Sequence, residues 1–138
     1  MKKLFIDTNI VLDLLAKRTD YLSAAKLFSL GDNGEVTLYV SSLSFANMSY
    51  ILRKLLGREK TIKVLRDLEL VVSITDLNGK IVQLALNDED FKDFEDGLQY
   101  YSAVEVGADV IITRNLSDFK SSKIPVLTAK QYLKGFSE

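Results

Sequence analysis

Five short apolar runs, each followed by a stretch of helical periodicity or turn residues, constrain this 138-residue chain more than any other feature. They are Leu4-Phe5-Ile6, Val36 to Val40, Leu70-Val71-Val72-Ser73-Ile74, Val110-Ile111-Ile112-Thr113 and Pro125-Val126-Leu127. Leu4-Phe5-Ile6 has no polar alternation, the pattern of a strand covered on both faces. Helices are predicted between the runs. The first continues through Leu15 with Thr8 or Asn9 as cap, and the second spans Tyr21 to Leu30, capped by Asp20 and closed by Gly31. A long helix starts at Ser41 or Ser42 and stops at Gly57, and another covers about Glu59 to Leu68. Asp76 is expected to cap a helix through Leu86, a further helix runs from about Asp93 to Val106, and Thr128 caps a last one through Leu133. Asn115 to Ser122 reads as a loop. Strands separated by helices imply an α/β fold, a three-layer α/β/α sandwich around a central, mostly parallel sheet, with one domain over 1–138.

Composition narrows the chemistry. The chain contains no histidine and no cysteine, which excludes thiol nucleophiles, disulfides, cysteine-ligated zinc and a histidine base. Met1-Lys2-Lys3 before an apolar run mimics a signal peptide, but Asp7 interrupts it after three residues. The longest uncharged stretch, Val36 to Leu52, carries four serines, a threonine and an asparagine and is too polar to span a membrane. The expectation is a cytoplasmic protein with no membrane partner. A net charge of −1 gives no global attraction to nucleic acid. The charge is unevenly spread, however. Arg53, Lys54, Arg58, Lys60, Lys63 and Arg66 face a single acid, Glu59, whereas Asp88 to Asp118 holds nine acids against Lys92 and Arg114. The basic cluster is either a solvated helix face or a phosphate-contacting patch.

The acids fall at telling positions. Asp7 ends the first strand, Asp118 follows the fourth, and Asp93, Glu95 and Asp96 open the helix that leads into that fourth strand. In an open parallel sheet, ligands bind beyond the carboxyl ends of the strands, so distant parts of the chain deliver carboxylates to one rim. Clustered anions repel unless a cation neutralises them, and Mg²⁺ or Mn²⁺ takes oxygen ligands while bridging to phosphates. Each acid also has a plain structural use, as a helix cap, a dipole complement or a turn residue.

Three segments together resemble the PIN-domain family, in particular its small VapC-type toxin ribonucleases. Phe5-Ile6-Asp7-Thr8-Asn9-Ile10-Val11-Leu12-Asp13 is similar to the opening motif, Asp93-Phe94-Glu95-Asp96-Gly97-Leu98-Gln99 to the acid at a helix start, and Ile112-Thr113-Arg114-Asn115-Leu116-Ser117-Asp118-Phe119 to the closing motif. The resemblance implies divalent-metal-dependent RNA cleavage with Asp7, Asp96 and Asp118 at the metal, an antitoxin partner for toxin members, and often a homodimer. The chain departs from the pattern at Asn47, where the family usually places a glutamate on the third helix. Asn47 falls on the Leu43/Ile51 stripe and is expected to point inward, contacting a metal-bound water without adding charge. Asp93, one turn from Asp96, is the candidate for the missing charge. Asn9, Thr113 and Asn115 are placed behind the carboxylates as orienting groups, and Arg114, Arg53 and Arg58 as contacts to RNA phosphates.

The leading expectation is therefore a Mg²⁺- or Mn²⁺-dependent endoribonuclease. The alternative is a catalytically weakened PIN-like module that binds RNA or protein. A phosphoryl-acceptor domain using Asp7 fits less well, because Asn9 stands where the haloacid-dehalogenase-like version wants a second aspartate and Arg114 where a receiver wants lysine.

Overall fold

Leu4 and Ile6 are buried on one face of the sheet and Phe5 on the other, which is why the first apolar run shows no polar alternation. The computed structural model describes residues 1–137, with side chains to residue 135. Strands β1 (Lys2–Ile6), β2 (Val36–Ser41), β3 (Ser73–Thr75), β4 (Val110–Ile112) and β5 (Val126–Leu127) form one sheet in the order β3-β2-β1-β4-β5. Every pairing is parallel, with Leu4 opposite Leu38 on one side and Val110 on the other. The chain winds outward from β1 to β3, then returns to add β4 on the opposite side of β1. The order thus reverses between β1 and β4, and a crevice opens at their carboxyl ends.

The helices are α1 (Thr8–Leu15), α2 (Tyr21–Asp32), α3 (Ser42–Leu56), α4 (Arg58–Glu69), α5 (Gly79–Leu86), α6 (Phe94–Glu105) and α7 (Ala129–Ser137), with a 3₁₀ turn at Leu116–Phe119. Ile10, Leu27, Met48 and Leu52 pack on the face that carries Leu4 and Ile6. Phe91, Tyr100, Ala103 and Phe119 pack around Phe5 and Ile111 on the opposite face, with the Phe91 and Tyr100 rings 5.0 Å apart. Each of the larger of these side chains contributes roughly 1.5–3 kcal/mol by leaving water. A smaller cluster of Ile81, Ala85 and Leu98 fastens α5 to α6. Phe119 is the anchor that matters for the site, because it sinks the 3₁₀ turn into the core and leaves its neighbour Asp118 at the rim.

Several boundaries differ from the sequence-based expectation. The cap of α1 is Asp7 itself, not Thr8 or Asn9, since its carboxylate accepts the Thr8 N–H. Asp20 makes no side-chain cap bond, and α2 runs one residue past Gly31. Gly31 is needed for another reason, because a Cβ there would collide with the Leu38 side chain. Leu70 to Val72 do not pair as a strand. Leu70 is 81% exposed, and the Leu70 and Val71 N–H groups donate to Asp67 and Leu68 carbonyls as the chain turns out of α4. Only Ser73–Thr75 pairs with β2, since an edge strand needs no continuous apolar run. Asn78, not Asp76, caps α5 by accepting the Ile81 N–H at 2.9 Å. The last helix continues to Ser137 rather than ending at Leu133. Among the described residues no helix is long and apolar enough to cross a membrane.

Candidate metal centre

Asp7 stands at the carboxyl end of β1, beside the point where the strand order reverses, and is only 7% exposed. Its backbone N–H donates to the Ile112 carbonyl, which ties it to β4. Its Oδ1 accepts the Thr8 N–H at 2.9 Å and the Gln99 amide at 3.5 Å, while Oδ2 accepts the Thr113 hydroxyl at 2.8 Å. Burial pushes the Asp7 carboxyl above its usual range. The Thr113, Thr8 and Gln99 hydrogen bonds oppose that shift, and Asp118 adds to it. Thr113 in turn accepts the Asn115 backbone N–H at 3.1 Å and the Asn9 amide at 3.4 Å. Asn9 Oδ1 also accepts the Arg114 N–H at 3.4 Å. Residues 9, 113 and 115 therefore meet behind Asp7.

Asp93, Asp96 and Asp118 line one cleft of about 310 Å³, together with Asp90, Ser117, Lys92 and Lys120. Asp93 caps α6 by accepting the Glu95 N–H at 3.0 Å, which places Asp96 in the first turn, where backbone N–H groups are unpaired. The Asp96 carboxyl is pushed up to about 7, first by burial and then by repulsion from Asp118, Asp93, Asp7 and Glu95. The three acids singled out in the sequence thus feel one another across the crevice.

Among the described residues, no three acidic side chains lie close enough to ligate one ion as a cage. Mg²⁺ does not require a cage, because it usually keeps several waters and takes one or two carboxylates plus substrate phosphates. The donors here are all oxygen, and the Asp96 carboxyl is pushed up to about 7 by burial and then by repulsion from its acidic neighbours. Such a set fits a hard divalent cation.

Two sequence-based placements change, those of Asn47 and Arg114. Asn47 does not point into the core: Ser44, Met48 and Leu52 form the buried stripe of α3, leaving Asn47 half-buried at the rim. Its amide donates to the carboxylate of Glu95 on α6. The Arg114 guanidinium is held by Asp13 on α1 at 3.1 Å, an acid with no solvent exposure, rather than standing free for a phosphate. Arg53 and Arg58 line a separate cleft of about 380 Å³ with Tyr50 and Lys54, whose ammonium lies 4.3 Å from the Tyr50 ring centre. Helix α3 starts near the acids, so Arg53 stands roughly 16 Å along its axis from Ser42.

Gln99, Ser41, Ser44 and Thr8 were not among the site residues expected from the sequence. Gln99 accepts the Ser41 hydroxyl at 2.6 Å and donates to Ser44 at 2.8 Å and Thr8 at 3.2 Å, besides Asp7. The available signal was a glutamine among the buried residues Gly97, Leu98 and Tyr100 of α6, which needs internal partners. Replacing Gln99 by leucine should strand these hydroxyls and lower the unfolding free energy by about 2–3 kcal/mol, measurable by urea titration. An unchanged midpoint would mean the network carries no stability.

Comparison with known proteins identifies the family. Residues 3–117 match the family model described as PIN domain. Ribonuclease VapC1 from Aquifex aeolicus (strain VF5) is 28% identical over 139 aligned positions, covering 95% of this chain and 93% of that protein. Among solved structures, VapBC-1 from nontypeable Haemophilus influenzae superposes with a TM-score of 0.71 at 19% identity, covering 93% of this chain and 98% of that one. VapBC2 from Rickettsia felis, solved bound to a DNA fragment from its promoter, gives 0.67 at 21% identity over 91% of this chain and 96% of that one. With the family model matching most of its length, the chain belongs to the PIN domain family.

Proposed function

We propose that this protein is a divalent-metal-dependent endoribonuclease and the toxin of a toxin–antitoxin pair. The observation that carries the reading is the convergence of Asp7, Asp96 and Asp118 on the crevice between β1 and β4, with Asp96 raised to about 7 by burial and by its acidic neighbours. The likeness to a ribonuclease of the VapC type supports RNA as the substrate.

When bound, Mg²⁺ or Mn²⁺ supplies an activated water and stabilises charge on the scissile phosphate and leaving oxygen. Asp7, Asp96 and Asp118 would hold the ion directly or through its waters, and Asp93, lining the same cleft as Asp96 and Asp118, would add charge to the set. Thr113 and the Thr8 N–H fix the two oxygens of Asp7 in one orientation, and Asn9 and the Asn115 N–H hold Thr113 in turn. Gln99 bridges Asp7 to the serines of β2 and α3, so the carboxylate cannot swing out of the crevice. Arg53 and Arg58 contact RNA phosphates away from the scissile bond, positioning the strand without reading its sequence. Arg114, engaged by Asp13, serves the loop rather than the substrate.

The apolar groove of about 310 Å³ lined by Leu14, Leu15, Phe28, Val64, Leu68 and Val71 suits the apolar face of an antitoxin segment. Structural neighbours crystallised as VapBC complexes support such a partner.

The test uses purified protein and single-stranded RNA. Cleavage is expected only with added Mg²⁺ or Mn²⁺, to stop in EDTA, and to be lost in Asp7→Asn with the circular dichroism spectrum unchanged. Cleavage that persists in EDTA or in that variant contradicts the proposal. RNA binding without any Mn²⁺ binding would identify a non-catalytic module instead.

A further inference from the structure

We infer that Tyr50 is a stacking platform for an unpaired base of the RNA, set in the cationic cleft of α3 and α4. The inference rests on the ribonuclease reading above. It adds a contact to a base where Arg53 and Arg58 contact only phosphates.

Tyr50 is 65% exposed, an unusual place to leave a large aromatic ring. The cleft it lines is completed by Arg53, Lys54 and Arg58, all exposed, and by no acid among the described residues. None of these three cations takes part in an ion pair among the described residues. Gly57, with φ at 81°, turns the chain from α3 straight into α4 and so brings Arg58 to the cleft of Tyr50. Uncompensated positive charge around an open ring is what single-stranded nucleic acid needs: the cations follow its backbone and the ring takes a base. The ring is also held in place. The Lys54 ammonium donates to the Tyr50 hydroxyl at 3.1 Å and lies 4.3 Å from the ring centre. A ring fixed beforehand loses less freedom when a base settles on it.

Tyr50 stands roughly 12 Å along α3 from Ser42, between the rim residue Asn47 and Arg53. A strand laid from the crevice along α3 therefore meets the ring before it meets Arg53 and Arg58. A base reaches the ring only when it has left its own duplex, so the platform favours unpaired RNA. A second copy of the chain suits the cleft less well. A two-fold contact here would set like charges against each other, and lysine is depleted in the cores of protein interfaces.

A simpler role would be a surface pair of Tyr50 with Lys54 one turn on, which leaves RNA unaffected. Steady-state cleavage by the full chain with Mn²⁺ separates the two, using single-stranded RNAs that carry one abasic nucleotide at successive positions. Tyr50→Ala should raise KM roughly tenfold on intact RNA, with most of the loss in KM rather than kcat. Tyr50→Phe keeps the ring and should stay within about twofold of the parent. For the parent, an abasic nucleotide at one position away from the scissile bond should raise KM by a similar factor. The same abasic RNA should cost Tyr50→Ala nothing further, because the ring and the base act as one contact. Should Tyr50→Ala not fold, Tyr50→Leu replaces it, being apolar with no ring to stack. A parent KM in the ringless variant, or a loss in Tyr50→Phe as large as in Tyr50→Ala, overturns the inference and leaves the ribonuclease reading standing. So does a ringless variant whose KM loss tracks dissociation of a dimer in sedimentation, which would make Tyr50 a subunit contact. If the parent itself cuts no RNA with Mn²⁺, the ribonuclease reading fails and takes this inference with it.

Discussion

Asp96→Asn is expected to abolish RNA cleavage and, in the same molecule, to stabilise the metal-free protein. Loss of an anion that positions charge at the reacting phosphate should cost roughly 10²–10³-fold or more in rate. The stability effect has the opposite sign. In the folded chain the Asp96 carboxyl is pushed up to about 7 from the ordinary 3.8, by burial first and then by Asp118, Asp93, Asp7 and Glu95. The native state therefore keeps a proton that the unfolded chain has released. A group raised in this way contributes stability that is complete below the unfolded value and lost as pH rises through the folded one. Metal-free protein should thus melt at progressively lower temperature from about pH 4 to about pH 8, other groups aside. Asparagine needs no proton, so the variant should lose much of that slope and melt roughly 3–8 °C above the parent at pH 8. Added Mn²⁺ should raise the parent and leave the variant where it was. Thermal melts at several pH values, with and without Mn²⁺, check all of this. A variant that melts lower than the parent at pH 8 without metal would show that Asp96 is structural.

Arg114→Ala is expected to be the most destabilising single change at the rim, by about 3–5 kcal/mol at pH 8. Asp13 has no exposure, and neither of its oxygens has a hydrogen-bond partner among the described residues. The Arg114 guanidinium at 3.1 Å is its compensation. Burial raises the Asp13 carboxyl, Arg114 opposes that most strongly, Asp20 adds to it, and Arg18 opposes it further. Without Arg114 the acid must take up a proton to stay buried. The penalty should then shrink as pH falls, because the raised group is neutral at low pH and its stability is lost only as pH rises. Changing Asp13 to leucine in the Arg114→Ala background should recover most of the loss, since an apolar side chain of similar size needs no partner. Urea unfolding at pH 5 and pH 8 measures both effects. A loss that is the same at the two pH values, or that leucine does not relieve, would mean the arginine acts by packing its stem rather than by charge.

How much of this was legible beforehand depended on the range of the interaction. The strands β1 and β4 are buried on both faces, so their sequences carry the signal themselves, and the helices beginning at Ser42 and Phe94 announce their caps. The acids were legible for the same reason, since their places at strand ends and a helix start follow from local pattern. Side-chain direction was not. Asn47 is one position round the helix from the Ser44-Met48-Leu52 stripe, a difference of about 100° that a stripe of half-buried residues such as Leu43 and Ile51 obscures. The Asp13–Arg114 pair joins residues 101 apart, and no spacing rule reports a partner at that distance. Leu70 to Val72 misled because a β-branched run looks the same whether it pairs as a strand or closes a helix over the core. Gln99 was overlooked because a polar residue on a buried stripe declares a need for partners without naming them.

The central claim, that Asp7, Asp96 and Asp118 share a divalent ion, is tested most directly by anomalous scattering from Mn²⁺-soaked crystals collected near the manganese edge. The expected result is a strong peak in the crevice between β1 and β4, within ligand or water-bridged distance of all three carboxylates, and absent from Asp96→Asn crystals treated identically. A fully soaked crystal with no peak in that crevice, or with one that survives in the variant, would contradict it.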